Sequence, residues 1–307
     1  MPELPEVETV RRGLEPVLVG NTFARVEQRR PDLRFPLPGR FAERLTGRVI
    51  ERLDRRAKYL LARLDDGQVL IMHLGMTGRF VIERADGDRT EPGDFVHDAT
   101  ASSQCGFPKH EHIVFHLEDG STIRYSDVRR FGIMDIADPG QLESHALFAS
   151  LGIEPLGDEL APAWLAARLK GKTTSIKAAL LDQRLIAGLG NIYVCEALHR
   201  AQLSPKRRAG TLATKTGRPT EKKTGRPTEK TSALVQAITS VLRDAIRAGG
   251  SSLRDYRHTD GRLGRFQHRF RVYGRAGEPC MRRGCNGTIR RITQGGRSTF
   301  YCPICQR

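Results

Sequence analysis

No stretch of the 307 residues approaches the roughly 18 consecutive apolar side chains of a membrane-spanning helix. The N-terminus also lacks the basic-then-apolar pattern of a secretory signal, so the expectation is a soluble intracellular chain. Acid is in short supply: 35 Asp and Glu face 51 Lys and Arg, a net charge of +16 with a pI near 10.1. In a chain without a lipid-facing element, such an excess points to nucleic acid as the polyanionic partner. Lysine is missing altogether from residues 251–307, where 13 Arg meet only Asp255, Asp260 and Glu278, a net of +10. The planar arginine fork binds phosphate oxygens in pairs, which a lysine ammonium does not.

What is present suffices for two domains and a small appendage, since 38% of residues are hydrophobic. From 21 to 136 the signals are short and β-like: 46–52, 59–64, 68–74, 113–117 and 121–125 alternate or run apolar, with hairpin turns at 65–67 and 118–120. Together they predict an antiparallel sandwich, and the polar stretch 84–109 reads as a long loop. After 138–140 the pattern turns helical, over 141–151, 162–169, 175–181, 192–201 and 232–248. Between the last two, KTGRPTEK at 215–222 is repeated letter for letter at 223–230. An octapeptide without apolar residues builds no repeat fold and reads as a disordered basic insertion.

Cys280, Cys285, Cys302 and Cys305 form C-x4-C-x16-C-x2-C, two close pairs joined by a hairpin-length spacer. That spacing suits one structural Zn2+ held by four thiolates with no open position. A pair of disulfides is the alternative, disfavoured in an intracellular chain that also carries Cys105 and Cys195. A segment of this size buries little core, so metal binding supplies its folding energy. The intervening strands, 288–293 and 298–301, flank Gly295 and Gly296 and display Arg297 at a hairpin tip.

The chain opens MPELPE. Pro5 suits the first turn of a helix over 5–17, Glu6 and Glu8 complement its dipole, and Val7, Val10, Leu14 and Val17 form its apolar stripe. Pro2 and Glu3 lie in front of that helix and need another explanation. Methionine before proline is normally removed, which leaves Pro2 as a secondary amine whose pKa, about 7.7–8.0 for a chain terminus, keeps a useful fraction nucleophilic near neutrality. Attack on a sugar C1′ gives an iminium intermediate; one of Glu3 and Glu6 can move protons on the sugar while the other shapes the amine's surroundings.

At this point the blocks MPELPEVETVRRGLEP, RRAKYLL, HLGMTG, DVRRFG, GLGNIYVCEAL and STFYCPICQ, in that order, resemble bacterial formamidopyrimidine-DNA glycosylase, the 8-oxoguanine DNA glycosylase family. The resemblance spans nearly the whole chain except the loop near 85–108 and the insertion near 209–231. It implies an α+β multidomain fold: an N-terminal catalytic β-sandwich with a leading helix over 1–138, a helical helix–two-turn–helix domain over 139–268, and a β-hairpin zinc finger over 269–307. It implies a bifunctional enzyme of base excision repair, monomeric and in the bacterial cytoplasm on the nucleoid, acting on double-stranded DNA that contains oxidised purines or abasic sites. Pro2 would be the Schiff-base nucleophile, Glu3 the proton donor that opens the sugar, and Glu6 the supporting carboxylate. Lys58 would act in β-elimination and Arg297 in phosphate binding and δ-elimination. Met76 would fill the gap left by the flipped nucleotide, Arg129 would face the orphaned cytosine and Phe131 would wedge a base step. His110, Lys172 and Asn191 match DNA contacts, with Asn191 also expected to cap a helix beginning at Ile192; Lys177 is a lesser phosphate candidate. His73 and His112 read as structural strand residues. Residues 251–267 resemble a loop that closes over the damaged base, with Gly261 and Gly264 suiting a mobile lid.

Two rival readings share these features. The related oxidised-pyrimidine endonuclease has the same fold and N-terminal proline; Leu4 and the Met76, Arg129 and Phe131 set favour the purine branch. A non-catalytic zinc-finger DNA-binding relative would share the charge and the cysteines but has no use for Pro2, Glu3 and Lys58.

Overall fold

The computed structural model describes residues 2–92, 108–213, 227–251 and 266–307. Most of the long loop including Cys105, most of the duplicated octapeptide, Met1 and the body of the proposed lid lie outside the described residues. The chain divides into two compact units, Met1–Ala149 with Ala245–Gln267, and Ser150–Asp244 with His268–Arg307.

In the first unit, helix α1 (Leu4–Leu18) buries the expected stripe of Val7, Val10, Leu14 and Val17. Two antiparallel sheets share its core. One has the order β1 (Phe23–Gln28), β7 (Glu111–Leu117), β8 (Thr122–Asp127), β5 (Gly78–Glu83), β6 (Arg89–Thr90). The other runs β2 (Ile50–Arg56), β3 (Tyr59–Leu64), β4 (Val69–His73), β9 (Ile133–Ala137). Inward residues of both sheets, among them Phe23, Phe80, Phe115, Leu60, Leu70 and Met72, form a single cluster with the α1 stripe. Burial of such side chains is the main stabilising term, about 1.5–3 kcal/mol each.

Two differences from the sequence expectation have local causes. The strand expected at 46–52 starts at Ile50, because Thr46 closes the short helix α2 (Phe41–Leu45) and Gly47 turns the chain at φ +81. No helix forms over 141–151. Successive turns, with Gln141 N on Asp138 O, His145 N on Leu142 O and Phe148 N on His145 O, take its place. Phe148 and His145 there cover the second sheet, Phe148 edge-on to Tyr59 and His145 near Asp135. This covering explains why β3 and β4 read as nearly continuous apolar runs: both of their faces are buried.

The second unit contains α3 (Pro162–Leu169), α4 (Ile176–Leu181), α5 (Asn191–Arg200), most of α6 (Glu229–Arg247) and the hairpin β10 (Arg290–Gln294)–β11 (Arg297–Tyr301). The hairpin turns on Gly295 and Gly296 at φ +56 and +72, a two-residue turn that requires positive φ at both positions. No helix among the described residues is long and apolar enough to cross a membrane.

Candidate active site and nucleic-acid interface

Pro2 and Glu3 precede α1 and are buried, with Glu3 in extended backbone at the N-cap position. Glu6, only 2% exposed, holds this start in place. Its Oε2 accepts from Glu3 N at 2.9 Å, and its Oε1 accepts from Ser251 N at 2.7 Å and Ser251 Oγ at 2.9 Å. Buried carboxylates persist only when hydrogen-bonded, and these donors supply that compensation. The neighbouring Gly250 has φ +81, and a Cβ there would stand 3.2 Å from Glu6 Oε1. Glu6 therefore fastens the backbone that carries Pro2 and Glu3 to the residues where the 251–267 segment departs. Ser251 was visible in the sequence only as part of that segment; its role as an anchor needed the fold.

Lys58, 8% exposed, sits in the two-residue turn between β2 and β3, where Ala57 takes φ +53. The turn is tied back to α1. Arg55 donates from Nη1 to Ala57 O at 2.9 Å and from Nε to Glu8 Oε2 at 3.2 Å. Burial pushes the Glu8 carboxyl up, but hydrogen bonds from Arg11 and Arg12 and the charges of Arg11 and Arg55 outweigh it and hold Glu8 below the usual carboxylate range. Helix α1 thus positions both ends of the candidate catalytic set through two carboxylates, Glu6 and Glu8.

His73 ends β4, stacks on Tyr59 with centroids 4.7 Å apart, and accepts from Gly75 N through Nδ1 at 3.0 Å. Burial, then the positive charges of Lys58 and Arg34, lower its pKa to about 4. An unfolded imidazole titrates near 6.5, so between these values the unfolded chain binds more protons and the fold is penalised. Stability is complete above about pH 6.5 and is lost as pH falls toward 4, by at most about 3 kcal/mol from this group. Urea midpoints between pH 7 and 4.5 should fall less steeply in His73→Asn than in the parent; identical slopes would remove His73 from the acid sensitivity.

Met76 lies on the β4–β5 turn, half-exposed, after Gly75 at φ +61. A Cβ on Gly75 would approach Phe131 C to 2.3 Å, so glycine permits this turn to nest against the loop from β8 to β9. On that loop Arg129 and Phe131 are exposed, the guanidinium carbon 4.7 Å above the ring centroid. The structure thus brings three of the DNA-contact candidates onto adjoining segments. Phe35, 51% exposed under Arg34, is a further aromatic that no motif in the sequence marks; Arg34 N donates to Gly132 O at 3.1 Å, which sets it beside the same loop. His110 ends a short 3-10 turn before β7; burial, then Lys109, His112 and Arg79, hold its pKa below the ordinary value. His112 is buried, with Nε2 2.8 Å from Asp127 O, as a structural strand residue should be.

In the second unit, Asn191 does not cap α5. The helix begins on it, and Gly190 occupies the N-cap position. The Asn191 Nδ2 instead donates to Ser298 O at 2.8 Å. Lys177 is fully buried and donates to the same carbonyl at 3.2 Å and to Thr299 Oγ1 at 2.6 Å, so it is a structural tie and not an exposed phosphate contact. Both side chains secure the residue after Arg297, which is itself exposed beside the hairpin turn. Lys172 is exposed in the turn after α3, where its backbone O accepts from Gly210 N at 2.9 Å.

The four cysteine sulfurs all lie within 4.8 Å of one another, with Cys280–Cys305 at 3.8 Å and Cys285–Cys302 at 3.6 Å. Disulfides need about 2.05 Å, which excludes that alternative. A tetrahedron with Zn–S bonds of about 2.3 Å has edges near 3.8 Å, so the cluster fits one structural zinc. The knuckles rest on α5. His199 Nε2 is 3.4 Å from Cys280 Sγ, Arg282 donates to His199 O and Arg200 O, and Gln306 joins Cys302 N to Leu203 O. Glu196, buried on the same helix, accepts from the backbone N–H groups of Arg271, Val272 and Tyr273, which lead into the finger.

Three family models match in order: the formamidopyrimidine-DNA glycosylase N-terminal domain over residues 1–134, the formamidopyrimidine-DNA glycosylase H2TH domain over 151–257, and the zinc finger found in FPG and IleRS over 277–307. Proteins named formamidopyrimidine-DNA glycosylase from Beijerinckia indica and Methylobacterium sp. (strain 4-46) are 60% and 58% identical, covering 100% of this chain and 100% and 99% of their own lengths. Among solved structures, Lactococcus lactis Fpg in complex with DNA containing an abasic site aligns over 100% of both chains with TM-score 0.79 and 31% identity. The same bacterium's enzyme bound to DNA containing an oxidised pyrimidine aligns over 100% of both chains, with TM-score 0.79 and 32% identity.

Proposed function

The chain belongs to the formamidopyrimidine-DNA glycosylase family, and from that premise we propose that it excises oxidised purines, chiefly 8-oxoguanine opposite cytosine and formamidopyrimidines, and then cuts the strand. It is a DNA glycosylase of base excision repair with abasic-site lyase activity, a bacterial enzyme that we place in the cytoplasm on the nucleoid. We keep 1–138, 139–268 and 269–307 as its catalytic, helix–two-turn–helix and finger domains.

The observation that carries the reading is the buried chain start, held by Glu6 while Glu3 stands next to Pro2. In this mechanism the Pro2 nitrogen bonds to C1′ as the glycosidic C–N bond breaks and the base leaves with a proton. Glu3 protonates the ring oxygen, the C1′–O4′ bond opens, and an iminium remains. Loss of a C2′ proton expels the 3′ phosphate (β-elimination), and a second elimination expels the 5′ phosphate. Water then hydrolyses the iminium and frees Pro2. Lys58, in its buried turn, serves the β-elimination. Met76, Arg129 and Phe131 occupy and read the vacated stack, which offsets the few kcal/mol that flipping costs. His110, Lys172, Asn191 and Arg297 bind the backbone, with Arg297 beside the lesion and acting in δ-elimination. The four cysteines hold the structural zinc that shapes the finger.

Single-turnover excision from 8-oxoguanine:cytosine and thymine-glycol duplexes tests the substrate class. The purine lesion should be processed at least about ten-fold faster, a difference of about 1.4 kcal/mol in the barrier. A thymine-glycol preference would move the chain to the oxidised-pyrimidine branch, a reading kept open by the L. lactis complex with an oxidised pyrimidine. Arg297→Ala should weaken binding about equally across sequences and reduce the slope of log K against log salt by about one. An unchanged slope would take Arg297 off the phosphates.

A further inference from the structure

The turn that carries Met76 and the loop that carries Arg129 and Phe131 connect different strands, yet one buried carboxylate holds both. Asp127, the last residue of β8, is 0% exposed. One of its oxygens accepts from the Thr77 hydroxyl. The other accepts from Gly132 N at 2.7 Å and Tyr125 OH at 3.4 Å. The Thr77 Oγ1 that donates to Asp127 also accepts from Arg129 N at 3.0 Å, so the hydroxyl is a two-way bridge between the segments. The Asp127 carbonyl adds bonds to His112 Nε2 at 2.8 Å and Arg130 N at 3.3 Å. Burial, then Asp127 itself, raises the Tyr125 phenol well above its ordinary pKa, which keeps it a donor.

Glycines make the arrangement possible by close approach. A Cβ on Gly132 would lie 1.8 Å from Tyr125 OH, and one on Gly78 would lie 2.4 Å from the same oxygen. The segment after Met76 and the segment after Phe131 therefore close around a single phenol, and the carboxylate sits against it. A buried carboxylate is tolerated only with its lone pairs filled, and the donors seen here come from both sides of the junction.

We propose that Asp127 is a positioning residue, a clasp that joins the Met76 turn to the Arg129–Phe131 loop so that the three side chains enter the duplex as one preassembled unit. It acts through its neighbours and touches no DNA. The entropy of ordering two separate loops is then met during folding instead of at each encounter with a lesion. The inference rests on the reading of Met76, Arg129 and Phe131 as the residues that occupy the vacated stack.

The test uses the full-length, zinc-loaded protein and an 8-oxoguanine duplex with 2-aminopurine beside the lesion, so that flipping and excision are followed separately. Asp127→Asn removes an acceptor, and Thr77→Val removes the bridge from a partly exposed site with little risk to folding. Both should slow the 2-aminopurine signal and excision about ten-fold, while Thr77→Ser stays within about two-fold of the parent. Borohydride trapping on a preformed abasic site, which has no base to extrude, should change less than about three-fold; a merely structural defect would depress it equally and overturn the clasp. Met76→Ala supplies the decisive comparison. If the clasp works through the Met76 turn, adding Asp127→Asn to Met76→Ala should cost less than about three-fold more. Full additivity with a slow Met76→Ala would overturn the clasp alone. A Met76→Ala enzyme at the parental rate would overturn the underlying reading of Met76, and the proposal with it.

Discussion

Pro2→Gly should bind a lesion duplex within about three-fold of the parent and lose at least about a thousand-fold in excision and strand cutting, in line with losses seen when a nucleophile is removed from a unit that acts together. The separation follows from the geometry. The DNA-contact candidates of the first unit lie on the β4–β5 turn, on the β8–β9 loop and, for His110, in the 3-10 turn before β7, whereas Pro2 lies in front of α1. The helix start is built by Glu3, Pro5 and Glu6, all of which the substitution leaves in place, and Glu6 still accepts from the Glu3 backbone and from Ser251. Glycine keeps a terminal amine but makes it primary, and it frees a backbone that proline had fixed near φ −65°. A chain that retains Met1 should behave the same way, binding DNA without cutting it. Gel shift and single-turnover cleavage on the same duplex separate the two effects. Parallel loss of binding and cutting would show that Pro2 is needed for the fold rather than for bond breaking.

Cys302→Ser, or stripping zinc with a chelator, should lower affinity for lesion DNA at least about a hundred-fold, or about 2.8 kcal/mol. Structural zinc sites contribute on the order of 10–16 kcal/mol to the folding of a finger. Here Cys302 is also part of a small core with Cys195, Val272, Cys280, Ile289 and Phe300. Without the metal the hairpin loses the support that presents Arg297, and the Ser298 carbonyl is no longer set against Asn191 and Lys177. The first unit has its own core, in which Phe41, Leu60 and Ile113 are fully buried, and should keep it. Fluorescence anisotropy with a lesion duplex, together with hydrogen exchange in β3 and β4, measures both halves of this expectation. Retained affinity in the demetallated protein would contradict the phosphate role of Arg297, and lost protection in β3 and β4 would contradict an independent first core.

The most legible features in the sequence were those set by local spacing. The stripe of α1, the helix over Pro162–Leu169, the strand over Tyr59–Leu64 and the Gly295–Gly296 hairpin each need only near neighbours in the chain. Strand β1 does not stand out in the sequence because FARVEQ carries charges on its outer face; its pairing is decided by β7, where Glu27 meets His116. The 141–151 segment had apolar residues at helical spacing, but Phe148 is recruited by Tyr59, a contact across some ninety residues of chain. Site residues divide in the same way. The cysteine cluster is legible from spacing, and Pro2, Glu3 and Lys58 are candidates from the chain start and the family motifs. The parts that hold them were hidden: Ser251 behind Glu6, Arg55 between Glu8 and the Lys58 turn, Thr77 and Asp127 between two loops. Lys177 looked like a phosphate ligand and Asn191 like a helix cap because their common partner, Ser298 O, lies more than a hundred residues downstream.

The central claim is that the amine of Pro2 makes the covalent bond to the damaged nucleotide. Borohydride reduction during turnover of 8-oxoguanine DNA, followed by mass spectrometry of the adducted peptide, tests it most directly. The account predicts one covalent complex, with the reduced sugar on the nitrogen of Pro2 in a peptide that lacks Met1. An adduct on Lys58 or another lysine, or equal trapping by Pro2→Gly, would contradict it.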